Sequence, residues 1–207
     1  MLGLRAQKKA DKNRRILEAA TTLFHKVGYD AARIEDIAEM AGVSVGTFYN
    51  YYKNKGDMLM ATVSMEVEEV LAAGNGIIAQ NHDDVGAALA ELIGTYYAHS
   101  LTYLSKEMWR TAMSLSIGQP ETPFSKRYTA LDYRLSEQVR DLFAALQARG
   151  IIRQDVDCDA MGELIFNNVN MMFIEFVKNE DMDVDGLQAE VARQNAPVAL
   201  LVSNVAP

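Results

Sequence analysis

Within the stretch AGVSVGTFYNYYKNK, residues 41–55, five residues fall on one side of a short helical pattern: Val45, Gly46, Thr47, Tyr49 and Asn50. Their chemistry is hydrogen bonding and small apolar contact. A carboxamide such as that of Asn50 can donate to and accept from the edge of adenine at once, and the methyls of Val45 and Thr47 suit the thymine methyl. Ser44, Tyr49 and Lys55 suit phosphate oxygens, which fix register but carry no sequence information.

Other chemistries find less support. His25, His82 and His99 are far apart, and the single cysteine, Cys158, completes neither a disulfide framework nor a cysteine-rich zinc site. DMDVDG, residues 181–186, opens like a calcium loop, but the twelfth position, where a bidentate Glu is needed, is Ala192. Asp residues there read better as helix caps, as does DVDCD at 155–159. No glycine-rich phosphate loop or nucleophile elbow occurs. Neither a catalytic group, a metal nor a cofactor is expected.

The elements that would position the 41–55 stretch are helices. Runs free of proline and rich in Ala, Leu, Met and Glu predict an all-α chain of about nine or ten helices. A first helix is expected from about Asp11 to Val27, capped by Gly28, with Ile16, Leu17, Ala20, Leu23, Phe24 and Val27 at one-face spacing. A short second helix holds Ile34, Ile37 and Ala38, Gly42 turns the chain, and Ser44 caps a third helix from Val45 to about Tyr52. Ile37, Ala41, Val43 and Phe48 face the core in this reading. Two short helices about a glycine turn form a helix-turn-helix over about 34–52, whose second helix enters the major groove.

Further on, Asp57 caps a helix reaching about Ala73, and GNG at 74–76 marks a joint. Helices then follow at Val85–Leu104, Lys106 to about Ile117, 124–149 ending at Gly150, 159–178, and from near Asp185 to a break at Pro197. The division expected is a DNA-binding domain at 1–55 and a larger helical domain at 56–207.

Charge separates along the same line. Through Lys55 there are ten Lys/Arg against six Asp/Glu, and from Gly56 onward ten against twenty-two, so a basic head precedes an acidic body. Such a head attracts phosphates although the whole chain is at −8. The N-terminal MLGLRAQKKADKNRR lacks the apolar run of a signal peptide, and no stretch has the length and apolarity of a membrane span, so a cytoplasmic location without a membrane partner is expected.

The run IEDIAEMAGVSVGTFYNYYKNKGDML resembles the DNA-binding segment of the TetR family of transcriptional regulators, and ILEAATTLFHKVGYD resembles that family's first helix. The match covers roughly the first third of the chain. It departs at Ala32 and Arg33, which stand where the family often has Thr or Ser; Ala cannot cap or donate to phosphate, and Arg33 either replaces that contact by charge or reaches a base. It departs again at Tyr51, a position often held by histidine, where packing is the first expectation.

The resemblance implies a ligand-responsive repressor that binds a palindromic operator on double-stranded DNA as a homodimer and is released by a small-molecule effector. Helices at about 127–149 and 159–178 are the expected dimerisation pair. A cavity for an apolar or aromatic effector is sought among Tyr96, His99, Tyr103, Trp109, Met113, Phe166, Asn170 and Phe173, with Asn167 and Asn170 as amides that need partners in an apolar helix. The competing reading is a small-molecule-binding all-α protein whose DNA head lacks sequence specificity.

Overall fold

The computed structural model describes residues 3–204, so Met1, Leu2 and residues 205–207, which bound the two expected domains, lie outside it. Nine helices make up the described residues: α1 (Leu4–Val27), α2 (Ile34–Met40), α3 (Val45–Tyr49), α4 (Lys55–Ile78), α5 (Val85–His99), α6 (Lys106–Gly118), α7 (Pro123–Ala148), α8 (Cys158–Lys178) and α9 (Val184–Val202). They divide into two compact units, Met1–Met65 with Tyr103–Tyr128, and Glu66–Thr102 with Thr129–Pro207.

In the first unit, the one-face apolar spacing on α1 buries Ile16, Ala20, Leu23 and Phe24. α2 packs on α1 and on α3, adding Ile37, Ala38 and Phe48 to this core. Ala41 joins them, while Val43 is only half-buried. α1 ends as expected at Gly28, whose φ of +83° suits glycine and whose N–H returns to the Phe24 carbonyl at 2.9 Å. At its other end α1 starts at Leu4, about two turns before Asp11.

Three boundaries differ from the sequence reading. α4 runs through GNG to Ile78, because Gly74 is where the helix makes room for the Gln138 side chain of α7. Its end is held by Arg149, which donates to the carbonyls of Ile78 (2.9 Å) and Gln80. α5 stops at His99 rather than Leu104, since the Ser100 hydroxyl turns back to the Tyr97 carbonyl at 2.8 Å. α9 continues through Pro197, which stands on the exposed side, so the carbonyl left without its helical donor borders water.

The second unit is tied by side chains that reach between helices. The Tyr97 hydroxyl of α5 donates to the Val169 carbonyl of α8 at 2.9 Å, Asn168 of α8 donates to Asn195 of α9 at 3.1 Å, and Gln188 of α9 donates to the Gly94 carbonyl of α5 at 3.1 Å. α7 closes with Gly150 at φ +78°. The following residues pair antiparallel with the chain's end, Arg153 N–H to Val202 at 3.0 Å and Asn204 N–H to Ile151 at 2.7 Å.

Candidate nucleic-acid interface

The turn between α2 and α3 is built by backbone and by one arginine. The Val43 N–H reaches the Ala38 carbonyl and the Gly42 N–H the Glu39 carbonyl, both at 2.9 Å, with Gly42 at φ +63°. Arg15 of α1 donates Nη2 to the carbonyls of Ala41 and Gly42, so the turn is pinned onto α1. A Cβ on Gly42 would lie 2.5 Å from that same Nη2, and its positive φ resists any L side chain. Sequence reasoning missed Arg15, whose spacing on α1 gave no sign of a partner so far along the chain.

Ser44 then caps α3: its Oγ accepts the Thr47 N–H at 3.1 Å and lies 2.9 Å from the Thr47 hydroxyl. α3 is shorter than expected, ending at Tyr49, but Asn50 keeps helical backbone angles (φ −73°, ψ −15°) and so stays in register with it. Phe48 is fully buried, whereas its neighbour Tyr49 is 52 % exposed, with the two rings edge to face at 5.7 Å. Gly46 and Asn50 are exposed beside Tyr49, and Val45 and Thr47 are half-buried. The six residues Ser44, Val45, Gly46, Thr47, Tyr49 and Asn50 are thus brought together at one small surface.

Lys55 and Arg33 are placed differently. The Lys55 ammonium donates to the carbonyls of Tyr29 and Asp30, both at 2.9 Å, and sits 4.9 Å from the centre of the Tyr29 ring. It staples the start of α4 to the turn after α1, leaving one of its three N–H groups for another partner. Arg33 is exposed, makes no capping bond to α2, and lies 3.5 Å from the Glu35 carboxylate. Ala32 beside it is buried, so packing takes the place of a polar cap there.

The start of α4 carries a reciprocal cap in which Asn54, not Asp57, is the capping residue. Asn54 Oδ1 accepts the Asp57 N–H at 2.8 Å, and Asp57 Oδ2 accepts the Lys53 N–H at 3.0 Å. Tyr52 is a core aromatic, its hydroxyl donating to Asn13 Oδ1 at 2.8 Å, and burial raises its phenol above the ordinary range. Tyr51 is half-buried and donates to the Lys9 carbonyl at 3.2 Å, so it both packs and tethers.

The residues proposed to line an effector cavity fall in both units. Tyr103, Trp109 and Met113 belong to the first, with Trp109 buried and the other two half-buried. Tyr96, His99, Phe166, Asn170 and Phe173 belong to the second. There the Tyr96 hydroxyl is committed to Gln138 Oε1 at 2.7 Å, and burial raises its phenol far above the ordinary value. His99 lies between two carboxylates, Nδ1 2.6 Å from Glu66 and Nε2 3.2 Å from Glu69. Phe173 stacks on Tyr97 at 6.1 Å, Phe166 is buried and Asn170 half-buried. A groove of about 570 Å³ in this unit, between α5 and α9, is lined by Leu89, Ile93, Gln188 and Asn195 among others, and by none of the expected residues. Asp183, in the calcium-like run, caps α9 by accepting the Gly186 N–H at 2.8 Å. Among the described residues, no helix is long and apolar enough to cross a membrane.

An all-α chain that presents a capped helix after a glycine turn, with its outer face free, defines a helix-turn-helix DNA-binding protein. Residues 16–62 match the family of bacterial regulatory proteins described as the tetR family. The helix-turn-helix segment of the chain is thus of the TetR type. It is 35 % identical over 80 residues to the HTH-type transcriptional repressor KstR of Rhodococcus jostii, a match covering 39 % of this chain and 37 % of that protein. It is 25 % identical over 205 residues to the fatty acid metabolism regulator protein of Bacillus subtilis, covering 96 % and 98 % of the two chains. The structure of the transcriptional regulator FadR from Bacillus subtilis in complex with stearoyl-CoA shares the fold, with a TM-score of 0.67, 20 % identity, and coverage of 94 % of this chain and 100 % of that one.

Proposed function

We propose that this chain is a cytoplasmic transcriptional repressor that binds a palindromic double-stranded operator as a homodimer and releases it when a small-molecule effector binds. The observation that carries the reading is the split of α3 into a buried side, held by Phe48, and an exposed side, Tyr49 and Asn50 with Gly46. Placed in a major groove, Asn50 and the methyls of Val45 and Thr47 meet base edges. Ser44, Tyr49, Arg33 and the remaining Lys55 proton serve phosphates. Residues 1–55 do the reading, and residues 56–207 bind the effector and dimerise; the chain acts by binding alone.

Dimerisation through α7 and α8 is supported by large apolar side chains that the fold leaves in solvent. Leu164 and Met171 on α8 are 54 % and 56 % exposed, and Tyr133 on α7 is exposed as well. Two heads held this way reach successive major grooves about 34 Å apart.

For the effector, the full-length similarity to a fatty acid metabolism regulator and the fold shared with a stearoyl-CoA complex support an acyl thioester. Phe166, Asn170 and Phe173 on α8 offer an apolar run with one amide suited to an acyl chain. The effector releases DNA by binding more tightly to the dimer whose heads mismatch the groove spacing. The test is fluorescence anisotropy of the protein–operator complex titrated with stearoyl-CoA, stearate and coenzyme A. Release by stearoyl-CoA alone is expected; no release by any of them overturns the acyl-thioester assignment and leaves the DNA reading intact.

A further inference from the structure

α5 and α9 pack against each other, and many of the residues between them are small. A Cβ on Gly86 would lie 3.7 Å from the Ala199 methyl, and one on Gly94 would lie 3.7 Å from Gln188 Nε2. The two helices therefore run antiparallel, with Gly86 at the Ala199 end and Gly94 at the Gln188 end. The groove of about 570 Å³ that they leave has a buried apolar floor, Leu89, Ile93 and Val191, and an exposed rim that includes Ala90 and Ala192. From Gly86 to Gly94 it extends about 12 Å at the rise of an α-helix.

One polar side chain in this bed is not spent on the fold. Asn195 is only 6 % exposed. Its Oδ1 accepts from Asn168 Nδ2 of α8 at 3.1 Å, whereas its own Nδ2 has no acceptor among the described residues, and the side chain borders the groove. Gln188, towards the other end, gives an N–H to the Gly94 carbonyl at 3.1 Å. A buried amide donor without an acceptor is costly to keep, and an apolar floor beside it draws hydrocarbon. Together they ask for an aliphatic chain with one carbonyl at its head. A docked helix would not answer, since its carbonyls are already held by its own N–H groups. An anion suits the site poorly: Asp185 stands on the rim, and from Gly56 onward twenty-two Asp/Glu face ten Lys/Arg.

We propose that the groove between α5 and α9 binds an uncharged aliphatic amide or ester of medium chain length, whose carbonyl oxygen accepts from Asn195 Nδ2 while its chain lies over Leu89, Ile93 and Val191. The site is separate from the α8 run assigned above to the effector, and either can fail alone. Through Asn168 the same amide is tied to α8, so whatever fills the groove reaches that helix by one hydrogen bond.

The test is a titration of the full chain with decanamide, followed by the isoleucine, leucine and valine methyl signals in NMR spectra. Shifts centred on Leu89, Ile93 and Val191 are expected. Asn195→Leu should weaken binding by about ten-fold or more, and decanoate should bind the wild type more weakly than decanamide by a similar factor. Ala192→Phe, which fills the groove from its exposed rim without touching the core, should abolish binding while the rest of the spectrum stays that of the folded chain. No shift at these methyls, or an unchanged affinity in Ala192→Phe, overturns the proposal. So does a folded Asn195→Leu variant that binds decanamide as tightly as the wild type, or equal affinity for decanoate. Shifts confined to Ile165 and Val169 of α8 would overturn the groove and leave the effector reading intact. Shifts at Leu89, Ile93 and Val191 on dilution without ligand would show that a second copy covers the groove, and overturn it as well.

Discussion

The side chain of Gln138 on α7 occupies the place where a Cβ on Gly74 of α4 would stand, 2.6 Å from its Cδ and 2.8 Å from its Nε2. Gln138 uses that position fully. It accepts from the Tyr96 hydroxyl at 2.7 Å and donates to the Leu71 carbonyl and to Asn75 Oδ1, both at 2.8 Å. A buried amide with all these partners is costly to displace, since each polar group left unpaired loses about 1–3 kcal/mol.

Gly74→Ala is therefore expected to destabilise the protein by about 1–3 kcal/mol, by forcing Gln138 out of its network. Gly76→Ala, two residues on in the same helix and with nothing within 4 Å of a Cβ, should stabilise it by about 0.5–1 kcal/mol. Urea denaturation of the two variants beside the wild type checks the pair; equal effects would refute the close-approach account of GNG.

That pair also shows what the sequence could and could not disclose. Glycine at helical spacing reads as a breaker, because its cost to an isolated helix is real, whereas the Gln138 side chain that compensates it lies far along the chain. Pro197 misled for a related reason: its cost depends on which side of α9 meets water. By contrast, the Ser44 cap, the Gly42 turn and the ends of α8 are local chemistry, and their residues announced them. Lys55 is intermediate. Its charge suggested a phosphate contact, but the Tyr29 and Asp30 carbonyls it also holds were invisible until the turn after α1 was in place. Aromatic spacing on α5, α6 and α8 identified buried faces, and a buried face looks the same whether it lines a cavity or fills a core.

In the head, Gly42→Ala should cost about 1–2 kcal/mol, because it combines a positive φ of +63° with a clash against Arg15. Ser44→Ala should cost about 1 kcal/mol through loss of the α3 cap, while Ser44→Asp, which keeps an acceptor, should retain most of the stability. Thermal denaturation followed by circular dichroism distinguishes them.

Asp132 on α7 provides a pH signature. Burial pushes its carboxyl up to about 7 from an ordinary value of 3.8. Between those two values the folded chain keeps a proton that the unfolded chain has released, so stability falls as pH rises from about 4 to about 7 and levels off above. Asp132→Asn should remove that part of the slope and raise stability near pH 8 by about 1 kcal/mol or more. Denaturant midpoints of both proteins across pH 4–8 test it, and parallel curves would contradict it.

On DNA, Tyr49→Phe should weaken binding to all sequences alike, since a lost phosphate contact carries no base information. Asn50→Ala should instead relax the preference at one base pair of each half-site, by about 1–3 kcal/mol. Competition binding against single-base operator variants separates the two effects. An unchanged preference in Asn50→Ala removes Asn50 from the base-reading set.

The measurement that tests the central claim most directly is selection of bound sequences from a random DNA pool, with the purified full chain at moderate salt. A capped recognition helix with an exposed reading face, carried twice by a dimer, predicts an enriched palindrome whose half-sites lie about one helical turn apart or a small multiple of it. A folded, dimeric protein that enriches no sequence would contradict it.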